Sequence, residues 1–425
     1  MNMIDKKIKY IFIVTLLASI GVLAINLKST KIASCEKAEF QFTAIDSIFK
    51  FIKYSKNELY NAQNLAVFYK KLDSLRCNQK PKINILHLGD SHIQADMFSG
   101  ELRRLFQTDS QFGNGGRGLV FPYSVAKTNN ATWYKTSSTG IWETCRMTNP
   151  RCVKYPGMAG INAQTNDINA TFKINIGVFQ GHSAVTKSVK IYFPIKDSSM
   201  YLPVVLNPDS LINTKFDTLH QYVEFVFANP VKSIQIGFKR NSNQSSRFEI
   251  HGIVMEKEEN GMIFHMVGLN GATAGTFLRY EKWSSILKPL NADLIILSLG
   301  TNDAYFPKFS QLGFSNNFTK LIKSLQETFP HAGIIITTPP NSYRKKKIHN
   351  TNYEITSQLL KQVADENSTA LWDLHEIMGG KMSINKWYAN KLCLNDKLHF
   401  TRKGYELQAK LLHTAILKSY KNSEK

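Results

Sequence analysis

The chain has 425 residues, 43% of them hydrophobic and 20% charged, a composition that excludes an intrinsically disordered protein and leaves ample material for a core. Its 53 Lys+Arg against 32 Asp+Glu give a formal net charge of +21, which favours polyanionic surroundings such as nucleic acid, anionic lipid or an acidic cell-wall polymer. No zinc-finger spacing, RNP-like aromatic run or long basic amphipathic helix accompanies that charge, so no nucleic-acid partner is expected. The lysines are scattered, apart from the run Arg344 to Lys347.

Lys6, Lys7 and Lys9 precede an uncharged apolar run from Tyr10 to Ile25. This reads as an export signal, and either a cleaved signal peptide or an uncleaved N-terminal membrane anchor fits residues 1–27. Both readings put the body of the protein outside the cytoplasm, in a bacterial periplasm or cell envelope. Residues 28–80 are expected to form a helical linker region, because the apolar positions between Ala44 and Arg76 recur at helical spacing.

The next stretch, Ile83 to Leu88, is a buried-strand pattern that stops on Gly89-Asp90-Ser91-His92. Gly89 permits a sharp turn, so Ser91 would stand exposed at a strand end, ahead of a helix over Met97 to Phe106. Four glycines in Phe112 to Gly118 predict a flexible loop lining the cleft; no Gly-Lys-Ser/Thr follows that would make it a phosphate loop.

From about Lys127 to Glu256 the composition changes to short alternating segments such as Ser188 to Phe193 and Tyr222 to Phe227, punctuated by turns. That pattern predicts a β-sandwich or jelly roll over 127–257, inserted into an α/β domain made of residues 81–126 and 258–425. Such an insertion, with its ends at the cleft, could hold a polymer across the site or merely shape it. Beyond it, Met262 to Gly268, Ala292 to Leu299, Gly333 to Thr338 and Thr369 to Asp373 read as strands alternating with helices over Phe314 to Phe329 and Tyr353 to Glu366. The fold class is therefore α/β, a parallel sheet flanked by helices.

Asn395-Asp396-Lys397-Leu398-His399 precedes a last helix, Gly404 to Tyr420. A serine nucleophile needs a base, and the base needs an acceptor to fix its tautomer. Asp396 and His399, with two residues between them, can supply both. Cys35, Cys77, Cys145, Cys152 and Cys393 show no metal-ligand spacing. Cys145 and Cys152 could close a small disulfide loop, and unpaired structural cysteines fit equally. No metal and no cofactor are expected.

Taken together, Gly89-Asp90-Ser91, Asn270-Gly271-Ala272-Thr273, Gly300-Thr301-Asn302-Asp303 and Asp396-Lys397-Leu398-His399 resemble the four ordered blocks of the SGNH/GDSL hydrolase superfamily. The resemblance implies that Ser91 is acylated, that His399 is the base and Asp396 its orienter. It also implies an oxyanion hole made by the Ser91 and Gly271 backbone N–H groups and the Asn302 side chain. His92 stands where leucine is commoner, and Asp96, the following Leu-Arg segment and Arg117-Gly118 resemble bacterial peptidoglycan O-acetylesterases with an inserted jelly roll. Gln94-Ala95 departs from the small residues of that group. The expectation is an extracytoplasmic carboxylic ester hydrolase that removes O-acetyl groups from a polysaccharide such as peptidoglycan. Acyl transfer between envelope polymers, a lipase or thioesterase, and an inactive glycan-binding protein are the alternatives.

Overall fold

The computed structural model describes residues 48–152, 154–179, 182–195, 201–240, 247–305 and 307–424. The expected signal or anchor over 1–27, and Cys35, lie outside them. Among the described residues no helix is long and apolar enough to cross a membrane.

The α/β body is built on a seven-stranded sheet. Its strands are β1 (Leu59–Tyr60), β2 (Lys82–Gly89), β3 (Asn114–Gly116), β4 (Gly261–Gly268), β5 (Leu294–Ser298), β6 (Gly333–Thr337) and β7 (Ala370–Trp372). They run in the order β1-β7-β6-β5-β2-β4-β3 and are parallel except for the edge strand β1. Every residue of β4 and β6 is buried, as near-continuous apolar runs require when both sheet faces are covered. The covering helices are α1 (Ala66–Arg76), α2 (Met97–Thr108), α3 (Gln311–Thr328), α4 (Asn352–Glu366) and α5 (Arg402–Ser423). α5 packs against α2 and α1, while α3 packs against α4.

Among the described residues, the helical reading of 44–76 holds only for α1, and 44–47 lie outside them. Residues 48–65 contain two short 3-10 turns and β1, because asparagines hold the chain out of a helix. Asn57 donates to Leu411 O and accepts from Trp372 Nε1, while Asn61, with φ +55°, donates to Asp365. This segment is thus part of the sheet edge rather than a linker.

The β-rich part consists of antiparallel sheets. One has five strands in the order Leu211–Asp217, Tyr222–Val231, Thr186–Tyr192, Gly252–Glu256 and Gly118–Val120. Another has Tyr201–Val205, Ser233–Arg240, Thr171–Asn175 and Lys135–Thr139, and a third joins Phe248–Ile250, Ile161–Thr165 and Glu143–Arg146. Alternate residues point inward, as in Tyr222 to Phe227, where Val223, Phe225 and Phe227 are buried. The inner faces share one apolar cluster with the α/β body. Cys145 and Cys152 form a disulfide, Cys77 is also disulfide-bonded, and Cys393 is a buried thiol.

Phe112 to Gly118 is not a flexible loop. Asn114–Gly116 is an edge strand of the parallel sheet, and Gly118–Val120 pairs with Gly252–Glu256 of the sandwich. A Cβ on Gly116 would lie 2.6 Å from Glu256 Cα, so glycine here lets two backbones touch. The sandwich accordingly begins before residue 127 and shares its first strand connection with the hydrolase sheet. Arg279 reinforces the junction by donating to Met147 O and Thr148 O, as does Trp283 Nε1 donating to Gly157 O.

Candidate active site

In the parallel register Gly89 of β2 stands level with Gly268 of β4 and Ser298 of β5. The chain crosses sides at β2, since its neighbours β4 and β5 lie on opposite flanks, and such a switch point opens a crevice at the carboxyl strand ends. Three loops leave this row together: Asp90-Ser91, Leu269 to Gly271, and Leu299 to Asn302. A Cβ on Gly268 would sit 2.1 Å from Gln94 N. Only glycine lets the helical turn Ser91–Gln94 lie so close to β4.

Asp90 caps that turn, accepting from His92 N at 2.9 Å. Ser91 Oγ lies 3.1 Å from His399 Nε2, and His399 Nδ1 lies 2.7 Å from Asp396 Oδ2. Asp396 Oδ1 accepts from the Leu398 and His399 backbone N–H groups, both at 2.9 Å, which folds the loop so that the imidazole faces β2. The loop is pinned by Leu394 N donating to His399 O and by Thr401, whose hydroxyl caps α5 at Gly404 N. With Nδ1–H given to Asp396, Nε2 is the acceptor for the Ser91 hydroxyl.

The electrostatics agree with this assignment. The Asp396 hydrogen bond raises the His399 pKa against the opposing effect of burial. For Asp396, burial pushes upward, but the His399 bond and the two backbone donors outweigh it and hold the carboxyl at about 2. Burial lifts Asp90 to about 7 and Asp303 to about 6.

Neither the Ser91 nor the Gly271 backbone N–H has an acceptor among the described residues. Gly271 has φ +78°, and no atom lies within 4 Å of where its Cβ would stand, so the position opens onto the cleft. Asn302 Nδ2 donates to Ala272 O at 3.0 Å and to Asp90 Oδ2 at 3.3 Å. Its amide is therefore at the crevice but engaged with protein acceptors. Ser91, Gly271, Asn302 and His399 line one open cleft of about 640 Å3, together with Asn129, Asn130 and Thr132 from the start of the β-rich part. Asp396 stands behind His399. Among the described residues no group of three His, Cys, Asp or Glu could hold a metal ion.

Residues 256–407 match the GDSL-like Lipase/Acylhydrolase family. A solved peptidoglycan O-acetylesterase is similar over 86% of this chain and 99% of its own, with 21% identity and a TM-score of 0.71. The chain has the SGNH/GDSL hydrolase fold. The lipase/acylhydrolase from Enterococcus faecalis is 19% identical over 39% of this chain and 78% of its own, with a TM-score of 0.30. A family two carbohydrate esterase from Cellvibrio japonicus is 11% identical over 67% and 99%, with a TM-score of 0.29. No curated protein matches the chain.

Within this SGNH/GDSL fold several residues without an assigned role in the sequence reading support the site. Gln94 Oε1 accepts from Asn270 N at 2.8 Å and so ties the serine turn to the glycine loop. Asp303 Oδ1 accepts from Ala274 N at 3.0 Å, joining the second and third blocks. His92 is buried, with Nδ1 2.8 Å from the Tyr405 hydroxyl and its ring 5.2 Å from that of His399. Asp96 is fully buried between two guanidinium groups: both Arg103 Nη atoms donate to it at 3.3 Å, and Arg117 Nη2 donates to its Oδ2. This cluster locks the serine turn, α2 and the glycine-rich strand together. In the sequence Gln94 is marked only by departing from the small residues of the group that the chain resembles, and nothing local names its partner.

Proposed function

We propose that the protein is an extracytoplasmic serine esterase that removes O-acetyl groups from a cell-envelope polysaccharide such as peptidoglycan. The observation that carries this reading is the continuous chain Ser91 Oγ, His399 Nε2, His399 Nδ1, Asp396 at 3.1 and 2.7 Å, opening on the cleft. The similarity to a peptidoglycan O-acetylesterase over nearly the full length of that protein supports the choice of acyl group and polymer. The apolar run Tyr10 to Ile25 behind three lysines supports export, with the segment either cleaved or kept as an anchor.

On this reading His399 Nε2 takes the Ser91 proton as Oγ attacks the acetyl carbonyl carbon. The developing oxyanion meets the Ser91 and Gly271 N–H groups, and Asn302 joins them by giving up its longer bond, the one to Asp90. Each such donor contributes ~2.7–4 kcal/mol to the transition state in comparable sites. His399 then gives its proton to the departing sugar oxygen, leaving acetyl-Ser91. Water, deprotonated by His399, releases acetate and restores the serine.

The test is acetate release by the full chain from O-acetylated peptidoglycan and acetylated xylan, side by side. Preferred turnover of peptidoglycan supports the reading. Acetate from xylan alone would replace the polymer, and no acetate from either would remove the esterase assignment.

A further inference from the structure

The basic run Arg344 to Lys347 takes no part in the triad or the oxyanion hole, yet the fold sets it beside the two loops that carry the site. Tyr343–Arg344 and Ile348–His349 pair as an antiparallel hairpin, with Lys345 to Lys347 exposed at its tip. The hairpin is fastened to the two loops that carry the site. Tyr343 N donates to Lys397 O at 2.8 Å, one residue from Leu398 of the cleft wall, and Lys345 N donates to the Tyr305 hydroxyl at 3.2 Å, three residues beyond Asn302. Lys397 adds a fifth cation beneath it, with Nζ 4.6 Å from the centre of the Tyr343 ring.

Two features of this run bear on what it can bind. First, none of Arg344, Lys345, Lys346 or Lys347 has a carboxylate partner among the described residues. Lys53, Lys82, Lys154 and Lys361 do pair with acids; here four cations follow one another in sequence with none. Second, Lys345 and Lys346 have φ +50° and +64°, a left-handed conformation that hairpin turns normally give to Asn or Gly. Lys127, Lys282, Lys391 and Lys397 hold the same conformation, so what the turn adds is geometry: it carries three consecutive exposed lysines at the hairpin tip. Adjacent like charges on a fixed hairpin also repel one another until an anion meets them.

We propose that the hairpin Tyr343–His349 is a binding site for carboxylates of the glycan polymer whose ester lies at Ser91. This rests on the polysaccharide esterase reading and narrows it to a polymer that carries negative charge along its length. A molecule that reaches these cations while its ester occupies the cleft must extend past the third-block and histidine loops, as a polymer does and a small ester does not. The ligand therefore contacts the enzyme at two points, and the hairpin contributes binding and orientation rather than chemistry.

The test compares the full chain with its Lys345→Gln/Lys346→Gln/Lys347→Gln variant on three substrates at low salt. On O-acetylated peptidoglycan the variant should show KM raised about tenfold with kcat nearly unchanged, the size expected for lost electrostatic attraction. On acetylated glucomannan, a neutral polymer, and on p-nitrophenyl acetate the two proteins should be alike, which also shows that the variant is folded. Wild-type activity on peptidoglycan should fall as salt rises from 20 to 200 mM, a range spanning roughly 20 to 7 Å of screening length, while activity on glucomannan should not. Equal KM on peptidoglycan, or equal losses on all three substrates, overturns the proposal. So does unchanged peptidoglycan turnover with lost binding to phosphatidylglycerol vesicles, which would assign the hairpin to a membrane surface. If the triple variant does not fold, the single Lys346→Gln variant and the wild-type salt series decide. Co-sedimentation of Ser91→Ala protein with peptidoglycan, with and without the hairpin changes, needs no catalysis. Its loss on hairpin substitution supports this site even where wild type releases no acetate, a result that would overturn only the esterase reading.

Discussion

Asn302 Nδ2 lies 3.3 Å from Asp90 Oδ2, so the side chain proposed for the oxyanion hole shares its donor with a carboxylate that is almost wholly buried. Burial is the largest reason why the Asp90 pKa stands at about 7 instead of 3.8, with the His92 N–H bond opposing it. A carboxyl raised in the folded state binds its proton more tightly there than in the unfolded chain. The stability it contributes is fully present below pH ~3.8 and is lost as pH rises through about 7. Asp90→Asn removes that loss, since an amide oxygen can still accept from His92 N. The melting temperature of the variant, relative to wild type, should therefore climb between pH 4 and 8. A constant difference across that range would contradict it.

With His399 as the proposed base, its raised pKa should set the acid limb of the reaction. A base must be unprotonated to act, and its tie to Asp396 keeps the imidazole protonated to higher pH than an ordinary histidine. The kcat/KM profile should rise through a pKa above 6.5. Asp396→Asn should move that limb downward and lower kcat, by about 10⁴-fold where comparable triads lose the orienting carboxylate. An unmoved limb would separate Asp396 from the base.

Gln94 is predicted to act through Gly271. Its bond to Asn270 N holds the loop whose next N–H faces the cleft. Gln94→Ala should lower kcat about tenfold, the equivalent of one misplaced hydrogen bond. KM for p-nitrophenyl acetate should change little. Loss confined to KM would place Gln94 in binding instead.

Asp96 is a stability prediction. Removing it leaves Arg103 and Arg117 buried without their common acid, and breaking buried pairs costs about 3–5 kcal/mol. Urea unfolding of Asp96→Ala should show a loss of unfolding free energy of that size, read as a lower midpoint at unchanged slope. A shift below ~1 kcal/mol, the range of exposed pairs, would mean that water reaches the cluster.

The parts of this architecture that were legible in the sequence are those that depend on continuous local signals. Apolar runs ending on glycine gave β2, β4 and β5, and their ends carry Ser91, Gly271 and Asn302. Pairing between distant segments was not legible. Asn114–Gly116 and Gly118–Val120 have too few side chains to show an apolar period, and only their partners Gly261–Gly268 and Gly252–Glu256 make them strands. Residues 48–65 look helical by spacing, yet three asparagines find partners far along the chain. Spacing alone also fails to single out a base. Asp217 and His220 stand at the same separation as Asp396 and His399 and hold a similar bond at 2.9 Å, but His220 lies on an exposed turn of the sandwich. Neighbouring strand ends, and not the spacing, make His399 different.

The proposed role of Ser91 is that of nucleophile in an acetyl-removing enzyme. It is tested most directly by acetate release from O-acetylated peptidoglycan, comparing wild type with Ser91→Ala at equal amounts of folded protein. Wild type should release acetate, and kcat of the variant should fall roughly 10⁴-fold or more. A Ser91→Ala protein that keeps more than about a tenth of wild-type kcat, where triad losses are so much larger, would contradict it.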